Sequence, residues 1–292
     1  GGVLTEQGGN YEPTAEEEAL AKFSSQILAG TEDVWAKEFQ KMGLTYEPPR
    51  LVLFTGSVQS GCGGATASSG PFYCSADQSV YIDLSFFTQM KRQLGADGDF
   101  AYAYVIAHEV GHHVQYLLGI LDDAHQQMSR VSEKESNRIS VRLELQADFF
   151  AGIWAYHDNR MFGSLEEGDI EEGINVASKI GDDYLQKQAQ GYTVPDAFNH
   201  GTSAQRVRWL KKGLASGRIS DGDTFSPNYN DRKCPPDDEP HDALPQDKSV
   251  RQALSLAGGT DTHPDNYRFV HRTDQRCSAR PHRRCHQLAH HH

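Results

Sequence analysis

The stretch FAYAYVIAHEVGHHVQYLLGI, which begins at Phe100, places three histidines and one glutamate within six residues of an otherwise apolar run. The apolar flanks at 101–107 and 114–118 predict a helix that is buried rather than a solvated face. Burying histidine and glutamate without a partner would cost several kcal/mol. A metal ion would supply that partner, so this segment constrains the fold and the chemistry together.

His108 and His112 lie four residues apart in the pattern H-E-x-x-H. Side chains at positions i and i+4 of a helix lie one above the other, so both imidazoles can reach one metal ion. Glu109 is rotated by about 100° from His108, which places it to act on a water molecule rather than on the metal. His113 points away from the ligand face. The alternative is a helix that carries hydrogen-bonded histidines and no metal.

A second predicted helix, in the segment RLELQADFFAG, carries Glu144 and Asp148 on one face. A catalytic zinc needs a third protein ligand and one open position, and Glu144 is the predicted ligand. Asp148 is the predicted acceptor for an imidazole N–H, because metal-bound histidines are usually oriented in this way. The alternative is an exposed pair of carboxylates, and the apolar neighbours count against it. Three small residues are expected to let this helix pack closely on the first: Ala147, Ala151 and Gly152.

Capping boxes at Thr14 and Ser132 predict the starts of two helices. Helices are expected at about 14–29, 31–42, 85–94, 132–156, 168–190 and 203–215, and the clearest strands at 51–54 and 80–83. Strands that precede a long helical region favour an α+β fold, mostly helical, with a small sheet packed on the H-E-x-x-H helix. The strand at 80–83 is expected to offer a free edge to an extended peptide.

Composition divides the chain into three parts. Residues 1–13 are polar and are predicted to be a flexible segment, and 14–226 form the predicted domain. Residues 227–292 are rich in Pro, acid, Arg and His, so we expect a poorly structured tail without a core. The net charge of −12 argues against nucleic-acid binding. No run of 18 apolar residues is present, so nothing in the chain is expected to cross a membrane.

Cys62 and Cys74 flank a segment rich in Gly and Ser, which would be flexible without a cross-link. We therefore predict a disulfide between them, and with it an oxidising compartment. A pair of reduced cysteines is the alternative. For the other three cysteines (Cys234, Cys277 and Cys285), the spacing does not indicate which of them pair.

The motifs HEVGHHVQ, RLELQADFFAGIWA and HGTSAQRVRW resemble the bacterial family of neutral zinc metallopeptidases, as do GSVQSGCG, GPFYCSADQSVYIDLSFF and IGDDYLQ. The resemblance covers about residues 14–226. The arrangement of these residues is also similar to that of thermolysin-like peptidases. The resemblance implies a zincin-like domain with one Zn²⁺ per chain, held by His108, His112 and Glu144. It also implies that Asp148 supports one of the histidines. Full-length members usually carry a membrane anchor before this domain. The resemblance therefore implies an extracytoplasmic location, in the periplasm or cell envelope, with membrane contact only through a segment that is not part of this sequence.

The chain departs from the family at two positions. Members often carry cysteine where this chain has Phe149, and another cysteine where it has Gly222. If those cysteines pair in the relatives, both partners are replaced together here, and the metal ligands are unaffected.

The implied reaction is hydrolysis of peptide bonds in a peptide or protein substrate by a zinc-activated water. Glu109 would take the proton of the water and pass it to the leaving amine. His200 is the predicted donor to the developing oxyanion, with Tyr73 and Tyr81 as further candidates, although a His in a Gly-containing loop is also a common turn residue.

Two other functions stay open at this point. One is a non-catalytic, zinc-stabilised binding or assembly protein of the cell envelope, and the other is a zinc hydrolase that acts on non-peptide amides. A purely structural zinc would need a fourth protein ligand, and the sequence suggests none.

Overall fold

The computed structural model describes residues 3–4, 12–66, 70–94 and 98–226. The described residues fall into two compact units, one up to His113 and one from Val114 onward. Helices dominate and the sheets are small, which confirms the α+β expectation. Most of the predicted N-terminal segment and all of the predicted tail lie outside the described residues, so their lack of structure stays a prediction. Within the described part of the chain, no helix combines the length and apolar character needed to cross a bilayer.

Among its described residues, the first unit contains six strands and two complete helices: β1 (Val3–Leu4), α1 (Ala15–Lys41), β2 (Arg50–Phe54), β3 (Ser57–Ser60), β4 (Gly63–Thr66), β5 (Phe72–Cys74), β6 (Ser79–Asp83) and α2 (Ser85–Leu94). Helix α3 (Asp99–Leu117) continues from the first unit into the second. The second unit adds α4 (Ile120–Met128), α5 (Glu133–Phe162), α6 (Asp169–Lys179), α7 (Asp182–Gln190) and α8 (Ser203–Ser216), with short 3₁₀ turns at Pro195–Ala197 and Ile219–Gly222.

The main sheet has the order β1-β2-β6-β5. Strands β1 and β6 run parallel to β2, and β5 runs antiparallel to β6 with Phe72 opposite Tyr81. All five residues of β6 are buried, as in a central strand. The expectation that residues 80–83 form a free edge is therefore wrong. The edge next to them is taken by β5, a strand of three residues that is too short to give an alternating pattern.

A disulfide joins Cys62, in the turn between β3 and β4, to Cys74 in β5, with a Cα–Cα distance of 5.8 Å. The predicted pairing is confirmed. The same turn is also held by a hydrogen bond of 2.7 Å from the Gly61 backbone N–H to Asp77 Oδ2. The hairpin is thus attached to the end of the main sheet at two points.

Helix α1 is continuous where the sequence predicted two helices. Gly30 and Thr31 are both buried inside it, and the Thr31 hydroxyl donates to the Leu28 carbonyl at 2.6 Å instead of capping a new helix. A glycine inside a helix costs about 1 kcal/mol relative to alanine. Burial of the neighbouring Ile27 and Val34 offsets that cost.

Helices α5 and α8 make direct backbone contact in the second unit. A Cβ atom on Gly152 would clash with the Leu210 carbonyl oxygen, and one on Gly213 would clash with the Phe149 carbonyl oxygen. Gly152 was expected to allow close packing on the H-E-x-x-H helix. Gly152 packs closely on α8 instead. This glycine sets the distance at which α5 and α8 cross.

Phe149 and Gly222, the two positions at which the family resemblance led us to expect cysteines, are neighbours in the fold. A Cβ atom on Gly222 would overlap the ring of Phe149, which is itself fully buried. An aromatic ring and a glycine thus fill together the space between α5 and the last 3₁₀ turn.

Gly222→Ala should therefore lower the free energy of unfolding by about 1–3 kcal/mol, the usual cost of overpacking a core. Denaturant unfolding would measure this loss of unfolding free energy in the native chain and in a Phe149→Leu background. In that background the smaller side chain leaves room for the added methyl group. The cost should fall below about 1 kcal/mol in that background. An equal cost in both backgrounds would show that the Phe149 ring is not what the added methyl group meets.

Candidate metal centre

Helix α3 is buried around most of its circumference. Ala103, Ile106, Ala107 and Val110 are each at most 1% exposed. His108 is 6% exposed. The ionisable residues of the motif therefore lie in a buried helix, as the apolar flanks predicted.

Three candidate ligand atoms converge. The nearest nitrogen atoms of His108 and His112 and a carboxylate oxygen of Glu144 all lie within 4.8 Å of one another. The two imidazole rings are nearly perpendicular, with centroids 4.9 Å apart. The structure thus brings together the three residues that the sequence assigned to the metal.

The donor set fits zinc. Two imidazole nitrogens and one carboxylate oxygen are the protein ligands of one class of catalytic zinc sites. Ligands at about 2.1 Å in a tetrahedron lie roughly 3.4 Å apart, so small side-chain rotations would bring all three onto one ion. No fourth His, Cys, Asp or Glu joins this group in the part of the chain that the structure describes. Glu109 is 8% exposed and lies beside the first ligand in sequence without belonging to the group.

Asp148 forms a buried ion pair with Arg206 of α8. Arg206 Nε donates to Asp148 Oδ2 at 2.8 Å and Arg206 Nη2 donates to Asp148 Oδ1 at 3.0 Å. Both side chains are at most 4% exposed. Each carboxylate oxygen has a further lone pair, and the proposed bond from an imidazole to Asp148 stays a prediction. Sequence reasoning missed Arg206, because nothing in its local pattern distinguishes a buried arginine from an exposed one.

His200 is held by Asp182 at the start of α7. His200 Nδ1 lies 3.1 Å from Asp182 Oδ1, and the backbone N–H groups of His200 and Gly201 donate to Asp182 Oδ2 at 2.7 and 2.9 Å. The hydrogen bond to Asp182 raises the pKa of His200 above its usual value, burial acts in the opposite direction, and the negative charge of Glu144 adds to the rise. Burial alone would raise the pKa of Asp182, but the bonds from His200 and Gly201 bring it below its usual value. The predicted oxyanion donor thus lies within electrostatic reach of a predicted metal ligand.

The loop before His200 follows the surface of α5. Asn137 Nδ2 donates to the Asp196 carbonyl at 3.1 Å, and Ser140 Oγ donates to the Asn199 carbonyl at 2.9 Å. These contacts are spaced by about one helical turn and lead along α5 toward Glu144. The helix that carries Glu144, the third candidate ligand, therefore also positions the His200 loop. No sequence motif indicated this contact.

The two tyrosines considered as further donors have partners within the protein. The Tyr81 hydroxyl donates to Asp77 Oδ2 at 2.6 Å, and burial together with that bond raises the pKa of Tyr81 to about 12. The Tyr73 hydroxyl lies 2.8 Å from His113 Nδ1. His113 is fully buried, and its other nitrogen bonds the Glu47 carbonyl, which agrees with the prediction that it points away from the ligand face.

Comparison with known proteins gives a consistent result. Residues 4–225 match the family described as "Putative neutral zinc metallopeptidase". The chain belongs to this family. Its relatives include "Uncharacterized protein YpfJ" of Escherichia coli strain K12, which is 53% identical over 225 residues, 77% of this chain and 78% of its own length.

A mycobacterial relative covers less of the chain. "Uncharacterized protein Rv2575" of Mycobacterium tuberculosis strain H37Rv is 40% identical over 191 residues, 62% of this chain and 64% of its own length. No solved structure matches the chain.

We predict that the purified protein binds one zinc per chain and that Glu144→Ala lowers zinc affinity at least 100-fold, because only two of the three predicted protein ligands remain. Chelator competition and metal analysis would measure it. Glu135→Ala is the matched control, since Glu135 is an exposed glutamate in the first turn of the same helix. Native affinity in Glu144→Ala would remove Glu144 from the site.

Proposed function

We propose that this chain is a zinc-dependent peptidase that hydrolyses peptide bonds in a peptide or protein substrate. The observation that carries the proposal is the convergence of His108, His112 and Glu144, with Glu109 next to the first ligand in the chain. These three side chains would hold the ion. When bound, zinc would polarise the scissile carbonyl group and make an attacking water molecule more acidic.

Glu109 is proposed as the general base. It follows His108 directly on a helix, so its side chain is turned by about 100° from the first candidate ligand and would lie near a bound ion without coordinating it. In this role its carboxylate takes a proton from the attacking water and delivers it to the nitrogen of the leaving amine. Its burial strengthens these electrostatic interactions, because little water surrounds the group.

His200 is proposed as the donor to the oxyanion. A carboxylate only accepts hydrogen bonds, so His200 Nδ1 carries a proton toward Asp182. The raised pKa of His200 favours the charged ring, in which Nε2 carries a proton as well. The His200 side chain is 51% exposed, so Nε2 can meet a substrate. Asp182 is in this account a positioning residue that orients the ring.

An extracytoplasmic location is part of the proposal. The Cys62–Cys74 disulfide supports it, since such cross-links persist in oxidising compartments and are rare in the cytosol.

The test is Glu109→Gln, assayed beside the native chain on a mixed peptide library. Gln is nearly isosteric with Glu and is not a ligand here, so zinc content and melting temperature should match the native values. The rate of peptide cleavage should fall by about 10²–10⁴, as expected for loss of a general base. Because the variant is purified identically and retains zinc, it also serves as the control for contaminating peptidases.

The same experiment separates the enzyme from its rivals. A zinc-stabilised binding or assembly protein would show no cleavage in either form. A hydrolase of non-peptide amides would leave the library intact and cleave small amide substrates in a manner that depends on Glu109. Equal cleavage by the native chain and Glu109→Gln would contradict the mechanism.

A further inference from the structure

His113 follows the ligand His112 directly in the chain and is bound at both ring nitrogens. Its Nε2 lies 2.7 Å from the Glu47 carbonyl oxygen, and its Nδ1 lies 2.8 Å from the Tyr73 hydroxyl. A carbonyl oxygen can only accept, so Nε2 carries the proton. With Nε2 protonated, Nδ1 of the neutral ring accepts the hydrogen bond of the Tyr73 hydroxyl.

The two partners of the ring come from separate parts of the first unit. Glu47 precedes β2 and Tyr73 lies in β5. The rings of Tyr46 and Tyr73 also meet the imidazole edge-on, with centroid distances of 5.8 and 5.3 Å. With both nitrogens bonded to different segments, the ring cannot flip or turn without breaking a buried hydrogen bond, which costs about 1–3 kcal/mol.

A fixed His113 also fixes the rotation of α3 about its own axis. Side-chain ends lie roughly 6 Å from a helix axis, so a rotation of about 10° would move the imidazole of His112 by roughly 1 Å. Metal–ligand distances tolerate only about 0.2 Å. A small rotation of α3 is therefore expected to weaken zinc binding more than it weakens the packing of the helix.

The Tyr73 hydroxyl is in turn held by a short strand. Strand β5 has three residues and pairs with β6 along one side. The next residue after Tyr73 is Cys74, which is fully buried and cross-linked to Cys62. The disulfide thus anchors the strand that carries the hydroxyl.

We propose that His113 is a positioning residue of the metal site, and that the Tyr73 hydroxyl and the Cys62–Cys74 cross-link raise zinc affinity through it. The proposal depends on the metal site and not on peptidase activity.

The test compares two tyrosine variants by zinc affinity in chelator competition and by the melting temperature of the zinc-free protein. Tyr73→Phe removes only the hydroxyl that meets His113, and zinc affinity should fall about 10-fold, at the lower end of losses seen for groups that orient metal ligands. Tyr81→Phe is the matched control, because it removes a hydroxyl from the neighbouring strand that bonds Asp77 instead. It should lower the melting temperature and leave zinc affinity within about 2-fold.

Two variants of His113 and one of the disulfide complete the test. His113→Gln offers both a donor and an acceptor and should keep zinc affinity within about 3-fold, whereas His113→Leu should lose about 10-fold or more. The double variant Cys62→Ala/Cys74→Ala should weaken zinc binding in the native chain but have little further effect in Tyr73→Phe, since both act through one contact.

Native zinc affinity in Tyr73→Phe, or an equal loss in Tyr81→Phe, would overturn the proposal and leave His113 with a purely structural role. Failure of this positioning role can be distinguished from failure of the proposed peptidase function. A native chain that binds zinc and cleaves no peptide would refute the peptidase while the affinity comparison still stands, and a native chain that binds no zinc would refute both.

Discussion

The convergence of His108, His112 and Glu144 on one small volume is the constraint on which the rest of the structure depends. Two of the candidate ligands come from α3 and one comes from α5. A metal site of this kind would tolerate little error in the position of either helix. Helix α3 also makes polar contacts within both units. Within the first unit, His113 binds two separate segments, and within the second, Gln115 Nε2 of α3 donates to the Leu143 carbonyl of α5 at 2.8 Å.

Helix α5 organises most of the second unit. Along its length it carries Glu144, then Asp148, which is the buried partner of Arg206, and then Gly152, at which α8 crosses. Its N-terminal half binds the loop that leads to His200. A buried ion pair such as Asp148–Arg206 adds little net stability over an apolar pair, but removing one partner leaves an uncompensated charge. The pair therefore favours one relative placement of α5 and α8, and with it one placement of the His200 loop.

The parts of the site that were predictable from sequence are those with a local pattern. The i, i+4 spacing of His108 and His112, and again of Glu144 and Asp148, reflects the pitch of a helix and is visible within five residues. The disulfide was predictable because Cys62 and Cys74 flank a short Gly-rich segment, and the long helix α5 because of its capping serine and apolar period.

What sequence could not give depends on contacts between distant residues. Arg206 lies 58 residues from Asp148, and Tyr73 lies 40 residues from His113. No local period encodes such pairs. The position of residues 79–83 inside the sheet depends likewise on pairing with β5, a strand of three residues. The continuity of α1 was missed for another reason, since tertiary burial outweighed the local preference of Gly30 to end a helix.

The most direct test of the central claim is the anomalous X-ray scattering of crystals of the zinc-loaded chain, measured on both sides of the zinc absorption edge. We expect one peak, about 2.0–2.2 Å from nitrogen atoms of His108 and His112 and an oxygen atom of Glu144, with the fourth position open to solvent. A peak closed by a fourth protein ligand, or one that lies away from these three side chains, would contradict a catalytic zinc site.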